Sequence, residues 1–294
     1  MLKAVYHRAF PPLEWLIRLI VIAAWLLSAA PADLSLLAQD SLPSGKADAA
    51  TQESLKAMHA RVSRMIVKIP AGAESRRAEL VESPLMHYAD QVRNLPESTL
   101  WVWQQEGLPV LFCKVERLTN SRTETTSWQY CCVPATAEKA DVEWERQFRW
   151  RARDASFKWV PLAAEADPRD QAPARLTQMK ALVRGFGGET EQTPVKSRQK
   201  MRLLTSSLHR FAAPDQGVID GAVFGLTSNG TNPDVLLIVE ALREPVADAR
   251  WRYGVVGMTG DAVEVVHKDR TVWTKPYTDG PGDHRSWMWY VSAQ

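Results

Sequence analysis

The chain has 294 residues, 45% of them apolar and 12 of them Trp, enough for a packed core in one large domain or two of ordinary size. Its 36 Lys and Arg oppose 34 Asp and Glu, and the formal net charge of +2 removes any global electrostatic case for nucleic acid or an anionic membrane surface. The one basic stretch, Arg146 to Arg153, is diluted by Glu143, Glu145 and Asp154 and reads as a solvated strand face.

In chain order, residues 1–38 read as an export signal. Lys3, Arg8 and Arg18 precede the apolar run Leu19 to Leu27, which is shorter than the ~20 residues a bilayer span needs. Ala30-Pro31-Ala32 fits a small-residue cleavage site, and Ala38-Gln39 is a second one. An uncleaved anchor is the alternative, because Leu34 to Leu37 could extend the apolar stretch. No lipobox cysteine is present. The expected location is therefore the periplasm or cell envelope, with membrane association only through that segment. Residues 39–50, rich in Ala, Ser, Asp and Gly, suit a linker.

Residues 51–167 form the first expected structural unit. Leu55, Met58, Val62, Met65, Ile66 and Ile69 recur every three or four residues, predicting one amphipathic helix. Strands are predicted near 77–82, 98–104, 109–118, 125–133, 142–151 and 156–160. Val142, Trp144, Phe148 and Trp150 alternate with polar residues, as in a single half-buried strand. Cys113 lies on one strand and Cys131-Cys132 on the next. A hairpin turning near Arg122 sets Cys113 almost opposite Cys131, predicting a Cys113–Cys131 bridge with Cys132 free; three buried free cysteines are the alternative.

Residues 168–294 form the second unit. Leu176, Met179, Leu182, Val183 and Phe186 predict its helix, with Pro173 in the first turn and Gly187-Gly188 as the stop. Strands are predicted near 200–205, 220–227, 234–242, 250–258, 262–268, 271–275 and 286–291. Glu106-Gly107 and Asn229-Gly230 fall at the same turn of the two units, and Asn-Gly between apolar runs is a strong hairpin signal.

The units align with each other. One constant offset pairs Tyr88 with Phe211, Glu97 with Asp220, Leu100 with Val223, Trp101 with Phe224 and Trp128-x-Tyr130 with Trp251-x-Tyr253. One inserted residue brings Val115-Glu116 onto Val239-Glu240. The expected fold is α+β: two similar repeats, each a helix followed by an antiparallel β-meander, packed with pseudo-twofold symmetry. The phrases Arg175-Leu176-x-Gln178-Met179-Lys180, Val218-x-Asp220-Gly221-Ala222-Val223-Phe224, Gly230-Thr231-Asn232-Pro233-Asp234 and Trp251-Arg252-Tyr253 resemble an uncharacterised family of exported bacterial proteins with no known activity. The resemblance covers most of residues 51–291 and implies export and one coherent fold, but no catalytic role.

Few motifs carry chemistry. No histidine pair or C-x-x-C has zinc spacing, and Asp279, Asp283 and His284 match no calcium loop. Gly185-x-Gly187-Gly188 follows a helix instead of preceding one, so it cannot cradle phosphate as a helix N-terminus does. No nucleophile elbow is present. No cofactor is expected. The acids that recur in both units, Glu97 with Asp220 and Glu116 with Glu240, are the candidate catalytic pair for an interface cleft, although acids at strand ends more often pair with a nearby Arg. Trp101 with Trp103, and Trp287 with Trp289, are two apart and share a sheet face; they are the candidate ligand-binding residues, unless they pack beneath the helices. The functional expectation is an exported, non-catalytic binding or interaction protein whose partner is an unidentified protein or carbohydrate. The alternatives are an envelope hydrolase with paired carboxylates and a structural part of an envelope assembly.

Overall fold

The computed structural model describes residues 49–71, 74–119, 123, 125–144, 148–162, 165–192, 196–243 and 248–293. The expected export signal and linker residues 39–48 lie outside them, as does the predicted turn residue Arg122. Among the described residues no helix is long and apolar enough to cross a membrane.

Helix α1 (Ala49–Val62) leads into β1 (Met65–Ala71), β2 (Glu74–Arg77), β3 (Glu79–Leu80) and β4 (Met86–Asp90). The long strands β5 (Leu95–Gln105), β6 (Leu108–Thr119) and β7 (Thr126–Pro134) follow, then β8 (Asp141–Trp144), β9 (Phe148–Arg151) and β10 (Val160–Pro161). Helix α2 (Ala172–Val183) opens the second series: β11 (Phe186–Gln192), β12 (Ser197–Leu203), β13 (His209–Ala213), β14 (Val218–Thr227), β15 (Val235–Leu242) and β16 (Arg250–Gly257). The chain closes with β17 (Ala262–His267), β18 (Arg270–Lys275), β19 (Gly282–Asp283) and β20 (Met288–Ala293).

The expected α+β class is overturned. Among the described residues strands hold 55% and α-helices number 2, so this part of the protein is mainly β, with several antiparallel sheets and a half-barrel. The physical reason lies at the helix ends. Leu55 to Ile69 was expected to be one helix, but α1 stops at Val62 and Met65, Val67 and Ile69 alternate inward along β1. Apolar spacing of three and four cannot separate a helix from a helix that turns into a strand. Phe186, expected on the second helix, likewise opens β11. Gly188 is no helix stop but an interior strand residue, where an added Cβ would lie 2.1 Å from the Glu264 carbonyl oxygen. The predicted single strand at 142–151 is the hairpin β8–β9, with Trp144 opposite Phe148.

The strand orders of the two series correspond. A four-stranded sheet runs β2-β1-β8-β9, and within the nine-stranded sheet β12-β11-β17-β18 follows the same path. The meander β5-β6-β7 has its counterpart in β14-β15-β16, and the registers agree residue for residue. Trp101 faces Cys113 as Phe224 faces Leu237, and Glu116 faces Gln129 as Glu240 faces Arg252. Each series also lends its last strand to the other. β20 pairs with β7, setting Trp289 opposite Cys131, and β10 pairs with β16, setting Val160 opposite Tyr253.

The core forms three layers. Met58 and Val62 of α1 and Met65, Val67 and Trp144 pack on one face of β5–β7, which presents Trp101, Trp103, Cys113, Val115 and Tyr130. The opposite face, with Leu100, Val102, Phe112 and Cys131, meets Phe211, Val223, Leu236, Ile238 and Val256 of the second series. Met179 and Val183 of α2 cover the far side of β14–β16. A strand buried on both faces reads as a continuous apolar run, which is why Val110 to Cys113 does not alternate. The same burial makes the next residue, Lys114, conspicuous.

Candidate functional site

Lys114 is 2% exposed in the middle of β6, and Glu116, two residues on and on the same face, is 3% exposed. Both line a cleft of about 430 Å³ at the edge of the middle core layer. Gln129 and Cys131 of β7 complete its floor. Arg93, from the turn before β5, stands on one side with Asn232 from the β14–β15 loop. Thr259 to Asp261, Tyr277 and Thr278 come from the second series, and Trp287 and Trp289 arrive with the exchanged strand β20. Without that exchange the aromatic wall would not reach Glu116.

Hydrogen bonds fix the floor. The Lys114 ammonium donates to Asn232 Oδ1 at 2.6 Å and to the Met258 carbonyl oxygen at 2.8 Å. The Glu116 carboxylate accepts from Tyr88 Oη at 2.9 Å and from Gln129 Nε2 at 2.6 Å. Among the described residues, neither Lys114 nor Glu116 has an oppositely charged side chain within ion-pair distance. Both are held by neutral hydrogen-bond partners alone.

Beside them lies a network of one cation and three carboxylates. Arg93 donates to Asp90 Oδ2 at 3.1 Å and to Asp234 Oδ1 at 2.9 Å, and it stands 3.6 Å from Asp261. Asp90 also accepts from Asn229 and Asn232, each at 3.1 Å, which ties the β14–β15 loop to the first series. Burial opposes the charge of Arg93, but Asp234, Asp90 and Asp261 more than offset this and hold it above the usual guanidinium range. Burial raises the Asp261 carboxyl against the opposing pull of Arg93. Burial also pushes the Cys131 thiol up to about 12, so it is not a ready nucleophile. Burial lowers the Lys275 ammonium to about 8; its Nζ sits 4.7 Å from the Trp287 ring centre and donates to Thr278 Oγ1 at 3.1 Å.

The residues singled out from sequence divide sharply. Trp101 and Trp103, each 1% exposed, lie in the core beneath α1 and away from this cleft, Trp103 lining instead a separate pocket beside Met65 and Leu80. Trp287 and Trp289 do line it, stacked with ring centres 6.3 Å apart. Trp287 is nevertheless buried, with Lys275 and His284 both against its ring, so it offers no open face for a sugar. Of the four acids only Glu116 reaches the cleft. Glu97 stands 3.5 Å from Arg117. Asp220 is buried between Arg175, at 2.9 Å, and Arg210, at 2.7 Å. Glu240 accepts from Arg252 Nε at 2.7 Å, although burial raises its carboxyl. The expected Cys113–Cys131 bridge is not formed: all three cysteines are buried and free, which was the alternative. Cys131 faces Lys114, whereas Cys113 faces Cys132, with their sulfurs 2.7 Å apart. Directly opposite residues share a sheet face, and a shift of one residue in the expected turn exchanges the two cysteines.

Sequence reasoning missed Lys114, Arg93, Asn232 and Asp261. A charged residue inside the run Val110 to Val115 was the available signal for Lys114. Among the described residues no group of three or more His, Cys, Asp or Glu is placed to hold a metal ion. No protein family, curated protein or solved structure matches this chain.

Proposed function

We propose that this protein is an exported, non-catalytic binding protein that holds a small polar molecule in the cleft between β6–β7 and the loops of the second series. The observation that carries the reading is the buried pair Lys114 and Glu116, which face the cleft without ion partners among the described residues. A volume of about 430 Å³ suits a small molecule, since ligand sites span roughly 300–1,000 Å³. Three of the four acids proposed for hydrolysis are away from the cleft, and Cys131 is held as a thiol, which favours binding over bond cleavage. Large exposed apolar side chains are scattered at Val92, Val160 and Tyr277, which gives little support to an assembly face.

The test is a thermal-shift screen of the full chain against small polar metabolites, repeated on Lys114→Ile. A compound that raises the melting temperature of the natural chain but not of the variant supports the reading. Equal shifts in both would place binding elsewhere and sink it.

A further inference from the structure

We infer that the ligand of the cleft is a small zwitterion, its anionic group held by Lys114 and its ammonium by Glu116. The inference rests on the cleft being a binding site and goes on to name what enters it.

The two series differ at the same ladder positions. Glu240 faces Arg252 across β15–β16, and Arg252 donates to it at 2.7 Å while stacking on Trp159 at 4.4 Å. Phe157 closes the place beside them. Its ring tip lies over Gly254, where an added Cβ would approach Phe157 Cζ to 2.2 Å. The acid of the second series thus has a cation from its own strand β16, and the space beside it is filled by aromatics that arrive with β10 of the first series. In the first series the acid is kept but its cation is not: Glu116 faces the neutral Gln129. Where Ile238 stands opposite Val223, the first series places Lys114 opposite Leu100. The two exchanges leave one acid and one base on the floor of the cleft.

Among the described residues no opposite charge lies within ion-pair distance of Lys114 or Glu116, and the three carboxylates nearby gather on Arg93. Asp90 and Asp234 are hydrogen-bonded to Arg93, with Asp261 3.6 Å from it. Lys275 is engaged with Thr278 and the Trp287 ring. Cys131, between Lys114 and Trp289 in the ladders, carries no charge as a thiol. Along β6 the two side chains start about 6.6 Å apart, two residues at strand spacing. A molecule whose ammonium and carboxylate are separated by a few carbon atoms spans that gap with one charged hydrogen bond at each end. Asn232 and Met258 take two of the three Lys114 donors, leaving one for the ligand.

The experiment is titration calorimetry of the full chain with the standard L-amino acids, β-alanine and γ-aminobutyrate, with neutral mono- and disaccharides alongside. The tightest zwitterion is then compared with its N-acetyl and carboxamide forms. Two variants copy the other series, Gln129→Arg and Lys114→Ile. The expected result is saturable binding of at least one zwitterion, weakened about ten-fold or more when either charge is blocked or either variant is used. Gln129→Arg is expected to melt no lower than the natural chain, because it gives Glu116 an internal cation. If either variant fails to fold, Glu116→Gln, which keeps the shape, is expected to weaken the zwitterion while leaving its N-acetyl form unchanged. Binding of a saccharide and of no zwitterion, lost in Lys114→Ile, would overturn the zwitterion and keep the cleft. Binding of nothing in the panel, or binding indifferent to all three variants, would overturn both.

Discussion

Replacing Lys275 by Met is expected to change how stability depends on pH, by an amount the surroundings of its ammonium fix. Burial lowers the Lys275 pKa from 10.5 to about 8, against the weaker opposing pull of Cys131 and Asp261. Between those values the unfolded chain binds a proton that the folded chain does not, so this group makes stability rise with pH through the window. Below about pH 8 both states are protonated and the full cost of the buried ammonium is present. Above 10.5 both are neutral and it is gone. At about 1.4 kcal/mol per pH unit the change across the window is about 3 kcal/mol. Cys131 and Tyr130, both pushed up to about 12 by burial, act in the opposite sense as pH rises, but they do so in either chain and cancel in the difference. Urea unfolding of the natural chain and Lys275→Met at intervals from pH 7 to 10.5 gives that difference directly. The natural chain is expected to gain about 3 kcal/mol on the variant from the low end to the high end. Parallel stability curves would refute a buried, destabilised ammonium at this position.

Other outcomes follow from the same packing. Trp101→Ala, in the layer beneath α1, is expected to cost about 3–5 kcal/mol in chemical denaturation, and a loss under 1 kcal/mol would deny it a core role. Asp220→Ala leaves Arg175 buried without its carboxylate and is expected to cost roughly 3–5 kcal/mol, again read by denaturation; an unchanged midpoint would show that the pair is solvated. Treating the unfolded chain with oxidised glutathione during refolding is expected to join Cys113 to Cys132 by thiol–disulfide exchange, with two glutathione thiols released. Peptide mapping that finds Cys131 in the bridge would contradict the register of β6 and β7.

The central strands were legible in the sequence because their chemistry is unambiguous. Val235 to Val239 and Leu108 to Cys113 are apolar runs of strand length, and β-branched residues favour the extended backbone. The offset that pairs Trp101 with Phe224 also relates their cross-strand partners, Cys113 and Leu237. The helix boundaries were not legible, since Met58, Val62 and Met65 fit one helical face although the chain turns extended at Met65. β11 was missed because Phe186-Gly187-Gly188 carries poor strand propensity, and the close approach of β17 selects its glycine. The cleft was only half legible. Glu116, Trp287 and Trp289 stood out as recurring or paired residues, but they meet only because β20 joins β7, a long-range pairing that no local pattern encodes. Lys114 needed the opposite reasoning, in which a single residue that breaks an apolar run is the signal.

The most direct measurement of the central claim is a crystal structure of the full chain grown with the tightest zwitterion from the titration. That molecule is expected in the cleft, its carboxylate on Lys114 Nζ and its ammonium on the Glu116 carboxylate beside Gln129. A cleft closed by its own side chains, with the molecule bound elsewhere, would contradict that claim.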